Sequence, residues 1–564
     1  MATSCSSPVP AGSPVESEWY PCVMAKLISS WLNACTENHV LCKPPSPSKL
    51  PKRLLDVLSR DNPFLLETNG EEGPYLALSY CWGKQRKLAL MTFGPNSRGK
   101  RGQPDPTPNI EAHKTNIPFA AMPKTLQDAV TTTRQLGFRY LWIDALCIIQ
   151  GDEDEWQHQH PLLADVYLNA RLVLAADSAV DQESGFLQQL STVVRPDTRH
   201  LESRWTQALA DQHLEQNARE ESSTRCPSPL NWDEPLNQRA WSLSEAIFAN
   251  RIVHFTSLGM VWECNEIREC EKGCVQTLQE DDTDSFRLFR DVAIAKDCTP
   301  VELYRKWDTV VEHFTRRNIN SHPDETYKDS LKLVALARMA GKFSQILEQV
   351  LGRDDRYLAG IWRDNLASSL LWTTDARADG NLTAKWRRPE APRAPTWSWA
   401  SIEGPVFFNQ LEDYRPAIII DDASVEYCNP CDEFGQVLSG SLAVQGRLLH
   451  GLKIQRESLP DSNGIAERHV KISPSTPYID LHFSCDVPLS ESELGHEYSC
   501  LYLGRGEVGV ATDEGTRTYW ACLLLRPVPN KSKVFERAGV SCRSRSADTS
   551  TYFGNSTYES IEII

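Results

Sequence analysis

No stretch of the 564-residue chain approaches the roughly 18 apolar residues in a row that a membrane-spanning helix needs, so no membrane span is expected. A basic surplus is missing too. Lys+Arg 59 against Asp+Glu 75 leaves a formal charge of −16, with no basic patch along the chain. That balance repels phosphate backbones and excludes nucleic acid as the expected partner. The opening MATSCSSPVPAGSPVESEW has neither a charged n-region nor an apolar core, so no export signal is expected. Cysteine is plentiful at 17, but the number is odd and the residues are scattered. Reduced thiols in the cytosol or nucleus follow, with a cytoplasmic protein expected, rather than a disulfide framework. Repeats of solenoid or propeller length are absent. With 41% hydrophobic and 24% charged residues the composition is that of a globular protein, and the length suits two or three domains at roughly 150 residues each.

The organisation is read from punctuation and periodicity. Residues 1–53 form a Ser/Pro-rich tail, a short helical stretch from Met24 to Cys42, and the Pro-rich linker KPPSPSKLP. From Tyr75 the run YLALSY predicts a buried strand. KTLQDAVTTTRQLG then places Leu126, Ala129, Val130 and Thr133 on one helical face, with Gly137 as its stop. RYLWID reads as a strand, DEDEW opens a second helix carrying Trp156, Leu163, Val166, Tyr167 and Ala170, and RLVLAA is again a strand. A polar insertion at about 192–230 interrupts the alternation before RAWSLSEAIFAN (helix) and RIVHF (strand) resume it. Alternating elements with continuously apolar strands predict an α/β fold for residues 54–265: a doubly wound, mostly parallel sheet of flavodoxin-like type. A helical region over 266–393 and a β-rich region over 394–564 follow.

Several motifs resolve into ordinary structure. GPNSRGKR at Gly94–Arg101 nearly spells a phosphate loop, but Arg101 stands where Ser or Thr holds Mg²⁺, and GQPDPTP cannot open the required helix. Gly504, Gly506 and Gly509 match GxGxxG, yet the chain continues as strand and turn, so a glycine-rich hairpin is expected. Cys35-x3-His39-x2-Cys42 has metal-like spacing but shows no fourth ligand in the sequence. Cys264, Cys270 and Cys274 form another partial cluster, and Cys428-x2-Cys431 is a lone pair split by Asn-Pro. No metal site is assigned on these grounds. Cys81 and Cys147 lie in or beside apolar strands and are expected to be inert buried thiols.

The stronger signal is positional. Open parallel sheets bind ligands beyond the carboxyl ends of their strands. Those ends carry Ser79, Tyr80, Trp82 and Gly83 after the first strand, Asp144 after the second, and Asp177 and Ser178 after the third. The helix near Trp241 adds Glu245 four residues on, pairing an indole with a carboxylate on one face. Aromatics and a carboxylate suit a nucleotide or ribose. The same residues also suit a structural reading, with Trp82, Trp142 and Trp241 in the core, Asp144 capping backbone and Glu245 in solvent.

YLALSYCWG (75–83), MPKTLQDAVTTTRQLGFRYLWIDALCIIQGDEDEW (122–156), VYLNARLVLAADSAVDQESGFL (166–187) and PLNQRAWSLSEAIFANRIVHF (235–255) resemble, in order, the blocks of the fungal heterokaryon incompatibility (HET) domain. WLNACTENHVLC and LPKRLLDV before them, and WEC (262–264), YLAGIWRDNLASSLLW (357–372) and APTWSWASIEG (394–404) after them, resemble its usual companions. The resemblance implies a role in allorecognition and programmed cell death, an innate-immunity-like function, and a fold distantly related to the TIR domain. It further implies TIR-like cleavage of NAD, with NAD as substrate and no bound cofactor. Glu245 is then the catalytic residue, and Tyr80, Trp82, Gly83, Asp144 and Trp241 bind substrate. Ala240 and Ser244 stand where the family's third block usually has Gly and Gln. The implied partners are other incompatibility proteins or further copies of the chain. The alternative is a non-enzymatic interaction and self-association module that regulates such a pathway.

Overall fold

The computed structural model describes residues 16–42, 48–83, 90–99, 104–159, 162–187, 232–277, 298–318, 332–374, 386–430, 432–456, 469–473, 481–490, 493, 495–509, 516–544, 553 and 556–564. The expected insertion at 192–230 lies outside these residues. The chain divides into two compact units, Met1–Arg290 and Asp291–Ile564.

In chain order the first unit contains α1 (Glu16–Asn38), β1 (Arg53–Asp56), β2 (Phe64–Glu67), β3 (Tyr75–Ser79), α2 (Ile110–Thr115), α3 (Lys124–Gln135), β4 (Tyr140–Trp142), α4 (Asp144–Cys147), α5 (Glu153–Gln159), α6 (Leu163–Asn169), β5 (Leu172–Ala175), α7 (Ala240–Phe248), β6 (Arg251–Thr256), β7 (Gly259–Cys264), β8 (Ile267–Cys270) and β9 (Val275–Thr277). The apolar stripe read for α3 is buried, and Gly137, at φ +76°, ends that helix in the left-handed region where only glycine is unstrained. The second helix expected from DEDEW is two, α5 and α6. The second of them buries Leu163, Val166 and Tyr167.

The nine strands pair in the order β2-β1-β4-β3-β5-β6-β7-β8-β9. Only β3–β4, β3–β5 and β5–β6 are parallel. The other five pairings are antiparallel, which corrects the expectation of a mostly parallel sheet. The reason is connection length. A parallel return needs a crossover of a dozen or more residues, whereas β6 turns back through Ser257 and Leu258 into β7, and β7 through Asn265 and Glu266 into β8. Such short links force hairpins onto one edge of the sheet, and β1 with β2 adds another at the far edge.

The expected architecture survives in the four central strands. Their order β4-β3-β5-β6 means that the path runs one way from β3 and the other way from β5, so a topological switch lies between β3 and β5. Right-handed crossovers then put α3 on one face and α6 with α7 on the other. The contacts agree, α1 packing on α3 and α6 on α7. Every residue of β3, β5 and β6 is buried, as strands covered on both faces require.

The second unit holds two long helices, Pro300–Thr315 and Lys332–Leu351, and a β-rich region. Strands Glu497–Gly509, Thr516–Pro527, Val534–Ser544, Leu481–Cys485, His469–Ser473 and Val437–Arg456 are hydrogen-bonded neighbours in that order, and the last returns to the first, closing a six-strand ring. Leu452, Phe483, Tyr498, Cys500 and Leu524 fill a buried cluster within it. Gly504 and Gly506 sit inside an antiparallel strand pair. A Cβ at either would strike the backbone of Arg415 or the side chain of Leu411, so these glycines admit a close strand rather than a pyrophosphate.

One buried carboxylate in the first unit anchors the end of the segment that follows β5. Asp128 on α3 is 1% exposed and accepts from the amides of Phe186 (2.9 Å) and Leu187 (3.1 Å), while Lys124 pairs with it. Asp128→Ala leaves two buried amides without an acceptor and is expected to destabilise the protein by about 2–4 kcal/mol, read from the urea midpoint of the full chain.

Candidate functional site

At the carboxyl ends of β3 and β4, beside the switch, the residues predicted there meet one another and Glu245 of α7. Ser79 ends β3, is 2% exposed, and donates its hydroxyl to the carboxylate of Glu245 in a short hydrogen bond. Trp82, three residues further on, donates Nε1–H to Asp144 Oδ2 at 2.8 Å. The other Asp144 oxygen accepts the Ala145 amide at 2.7 Å, at the first turn of α4. Burial lifts the Asp144 carboxyl above its ordinary range, although Arg239 and the Trp82 hydrogen bond work against that rise. Tyr80 is buried and accepts from Gln182 Nε2 at 3.0 Å; burial, and then Asp144, push its phenol well above the usual tyrosine value. Gly83 has φ +84°, and a Cβ there would collide with Asp181, so only glycine lets the chain leave β3 this close to the loop after β5.

Trp241 lies on the first turn of α7 and Glu245 one turn later, both half-buried. Ser244 is turned away, its hydroxyl bonded to the Trp241 carbonyl at 2.9 Å. Ala240 is fully buried. Asp177 is drawn in the other direction, into a buried pair with His254 Nδ1 at 3.0 Å, while its carbonyl accepts the Leu236 amide and helps aim the approach to α7.

The residue that the sequence reading missed is Arg239. It immediately precedes α7 in extended backbone, and its guanidinium donates to the Tyr80 carbonyl. Burial acts to lower its pKa, but the net direction is upward. Cys81, Glu245, Asp144 and Tyr80 lie around it and act to raise that pKa, and at neutral pH the compensating charge comes from the carboxylates, the thiol and phenol being protonated. Gln182 was missed as well: besides bonding Tyr80, it accepts the Leu90 amide through Oε1 at 3.0 Å. An Arg between Gln and Ala at a helix entrance carries no periodic or motif signal, and its partners lie about 95 to 160 positions earlier in the chain or just beyond it in α7.

The thiols behave as expected. Cys81 is pushed up to about 11 and Cys147 to about 12, chiefly by burial, so both are protonated and inert at neutral pH. Gly94–Ser97 is a tight turn, its Gly94 amide bonded to Ser97 Oγ at 2.9 Å, and the described residues from 104 to 109 form no helix after it. Cys428 is exposed; Cys431 lies outside the described residues.

A raised carboxyl binds a proton in the folded state at pH values where the unfolded chain has already lost it. Stability from Asp144 therefore falls as pH rises from its ordinary value through its folded one. Asp144→Asn keeps an acceptor for Trp82 and removes this titration. The unfolding free energy of the variant minus that of wild type is expected to increase from pH 4 toward pH 7, measured by urea denaturation at each pH.

Residues 75–245 match the family model described as Heterokaryon incompatibility protein (HET). Nothing among curated proteins matches the chain significantly, nor does any solved structure. The matched segment opens on Tyr75, the first residue of β3, and closes on Glu245, so it contains all six predicted site residues and both of the missed ones. The converging strand ends and the α7 entrance thus lie within residues 75–245, the segment that carries a heterokaryon incompatibility (HET) domain.

Proposed function

We propose that this protein acts in fungal non-self recognition and cell-death signalling by hydrolysing the nicotinamide–ribose bond of NAD, with Glu245 as the catalytic carboxylate. The observation that carries this reading is the placement of Glu245: a half-buried carboxylate brought from α7 to the end of β3, at the switch point where α/β sheets bind nucleotides. The parallel centre β4-β3-β5-β6 is the part of the sheet that supports kinship with TIR domains.

Breaking the C1′–N bond leaves neutral nicotinamide and develops oxocarbenium charge on the ribose. Water adds at C1′ and releases one proton, giving ADP-ribose. A carboxylate close to that carbon stabilises the cationic transition state or orients the ribose hydroxyls. Ser79 holds one oxygen of Glu245 and so sets its direction. Trp82, pinned to Asp144, and Trp241, one turn from Glu245, offer flat faces to the nicotinamide and adenine rings. Arg239 beside them supplies positive charge for the pyrophosphate or for the carboxylates themselves.

A second reading has a specific observation behind it. Glu245 is satisfied by Ser79 and lies in the field of Arg239, and Asp144 is satisfied by Trp82 and Ala145. Such a closed network also fits a lock that holds α7 on the sheet of a self-associating, non-enzymatic module.

The discriminating experiment expresses the full chain from an inducible promoter and follows cellular NAD and viability together. NAD is expected to collapse before death, and Glu245→Gln, which retains an acceptor for Ser79, is expected to slow NAD loss by at least 10²-fold at equal protein abundance. Death with steady NAD, unchanged in Glu245→Gln, selects the interaction module.

A further inference from the structure

Outside the matched segment, the first unit assembles a cluster that neither the family match nor the proposed chemistry uses. Cys35 and His39 lie one turn apart at the end of α1 and just beyond it, and Cys42 follows three residues later. The fold carries Cys264, the last residue of β7, to the same point. One ligand atom from each of these four residues lies within 4.8 Å of all the others. The three cysteines are buried and free of disulfides, and His39 is half-buried.

We propose that Cys35, His39, Cys42 and Cys264 form a structural zinc site that clasps the N-terminal helix to the antiparallel edge of the sheet. Three thiolates and an imidazole are a ligand set that Zn²⁺ takes tetrahedrally. With Zn–S near 2.3 Å and Zn–N near 2.0 Å, tetrahedral edges come to roughly 3.8 Å between sulfurs and roughly 3.5 Å between sulfur and nitrogen. His39 Nδ1 and Cys264 Sγ are 3.4 Å apart, already at such an edge. No separation exceeds an edge by more than roughly 1.3 Å, a distance that side-chain rotation closes.

The surroundings are those of a metal–thiolate centre. The Ile267 amide points at Cys264 Sγ at 3.5 Å, from the tight turn that Asn265 and Glu266 make between β7 and β8. Arg251, 1% exposed, donates Nε–H to Cys35 Sγ at 3.2 Å and a terminal N–H to the Cys42 carbonyl. Zinc with three thiolates and a neutral imidazole carries one net negative charge, which a buried guanidinium neutralises. The turn and the ligand loop are also stitched directly. The Leu41 amide donates to Glu266 Oε1 at 2.8 Å, and Asn265 Nδ2 donates to the Leu41 carbonyl at 2.8 Å. With four protein ligands no position is left for water or substrate, so the site is structural and not catalytic. The sequence shows three ligands within eight residues, but the fourth comes from more than two hundred positions away.

The test uses the full-length chain, purified without chelator and, in a second preparation, reduced and reconstituted with Zn²⁺. Elemental analysis is expected to find about one zinc per chain, absent in Cys264→Ser and retained in Cys270→Ser, whose cysteine is buried on the neighbouring strand but outside the cluster. Chelation is expected to lower the melting temperature of wild type and not of Cys264→Ser. Should Cys264→Ser fail to fold, Co²⁺ exchange into wild type decides the matter, with thiolate-to-metal charge transfer and tetrahedral ligand-field bands expected. A folded, reduced wild-type chain that takes up neither Zn²⁺ nor Co²⁺ overturns the proposal. So does a disulfide between any two of the three cysteines in the metal-free protein as isolated from reducing cells, or zinc that survives Cys264→Ser and is lost with Cys270→Ser.

Discussion

A guanidinium removed from water must find carbonyl and anionic partners or it destabilises everything around it. Arg239 meets that requirement only where three separated segments come together: the Tyr80 carbonyl after β3, Asp144 after β4, and Glu245 one and a half turns into its own helix. The arrangement makes α7, β3 and β4 interdependent. Shifting the helix entrance by one residue would strand the charge, so the constraint places Glu245 at the sheet end whatever chemistry it performs there.

The same device recurs through the molecule. Arg53 on β1 is buried, donates to the Cys147 carbonyl at 2.9 Å and pairs with Glu155, tying the edge of the sheet to α4 and α5. Arg251 at the start of β6 reaches into the loop after α1. In the second unit, Arg537 is 1% exposed, pairs with Asp486 at 3.1 Å, donates to the Leu370 carbonyl at 2.8 Å and covers the Trp372 ring. Arginine suits this task because its planar fork offers five fixed donors and stays charged, so one side chain satisfies carbonyls from segments that share no regular hydrogen bonding. These segments are held by a few buried polar junctions as well as by apolar packing.

Whether the site acts as an enzyme or as a lock depends on how strongly its polar groups are already committed. Asp144 is ionised only against the penalty of its burial, and it is nevertheless retained between Trp82 and Arg239. Catalytic sites accept such a penalty because a preorganised charge then needs no reorganisation in the transition state. Ser244 shows the opposite tendency: its hydroxyl closes on its own helix and adds nothing to the surface around Glu245.

Local pattern alone determined much of the first unit. The runs at Tyr75, Tyr140, Leu172 and Arg251 became buried strands, the stripe Leu126-Ala129-Val130-Thr133 became the buried face of a helix, and the polar residues after each strand marked the cluster of strand ends. Side-chain periodicity and burial are properties of neighbouring residues, so they are legible without the fold. Strand pairing was not. The hairpins β6-β7-β8-β9 and the β1-β2 edge turn the sheet mixed, because direction depends on connection length and on which edge stands open, not on apolarity. Nor could the sequence show Arg239 against Tyr80, Glu245 on Ser79, or Cys264 beside Cys35, His39 and Cys42. Those meetings join residues well over a hundred positions apart, and only the close-packed tertiary structure decides which distant polar groups must satisfy one another.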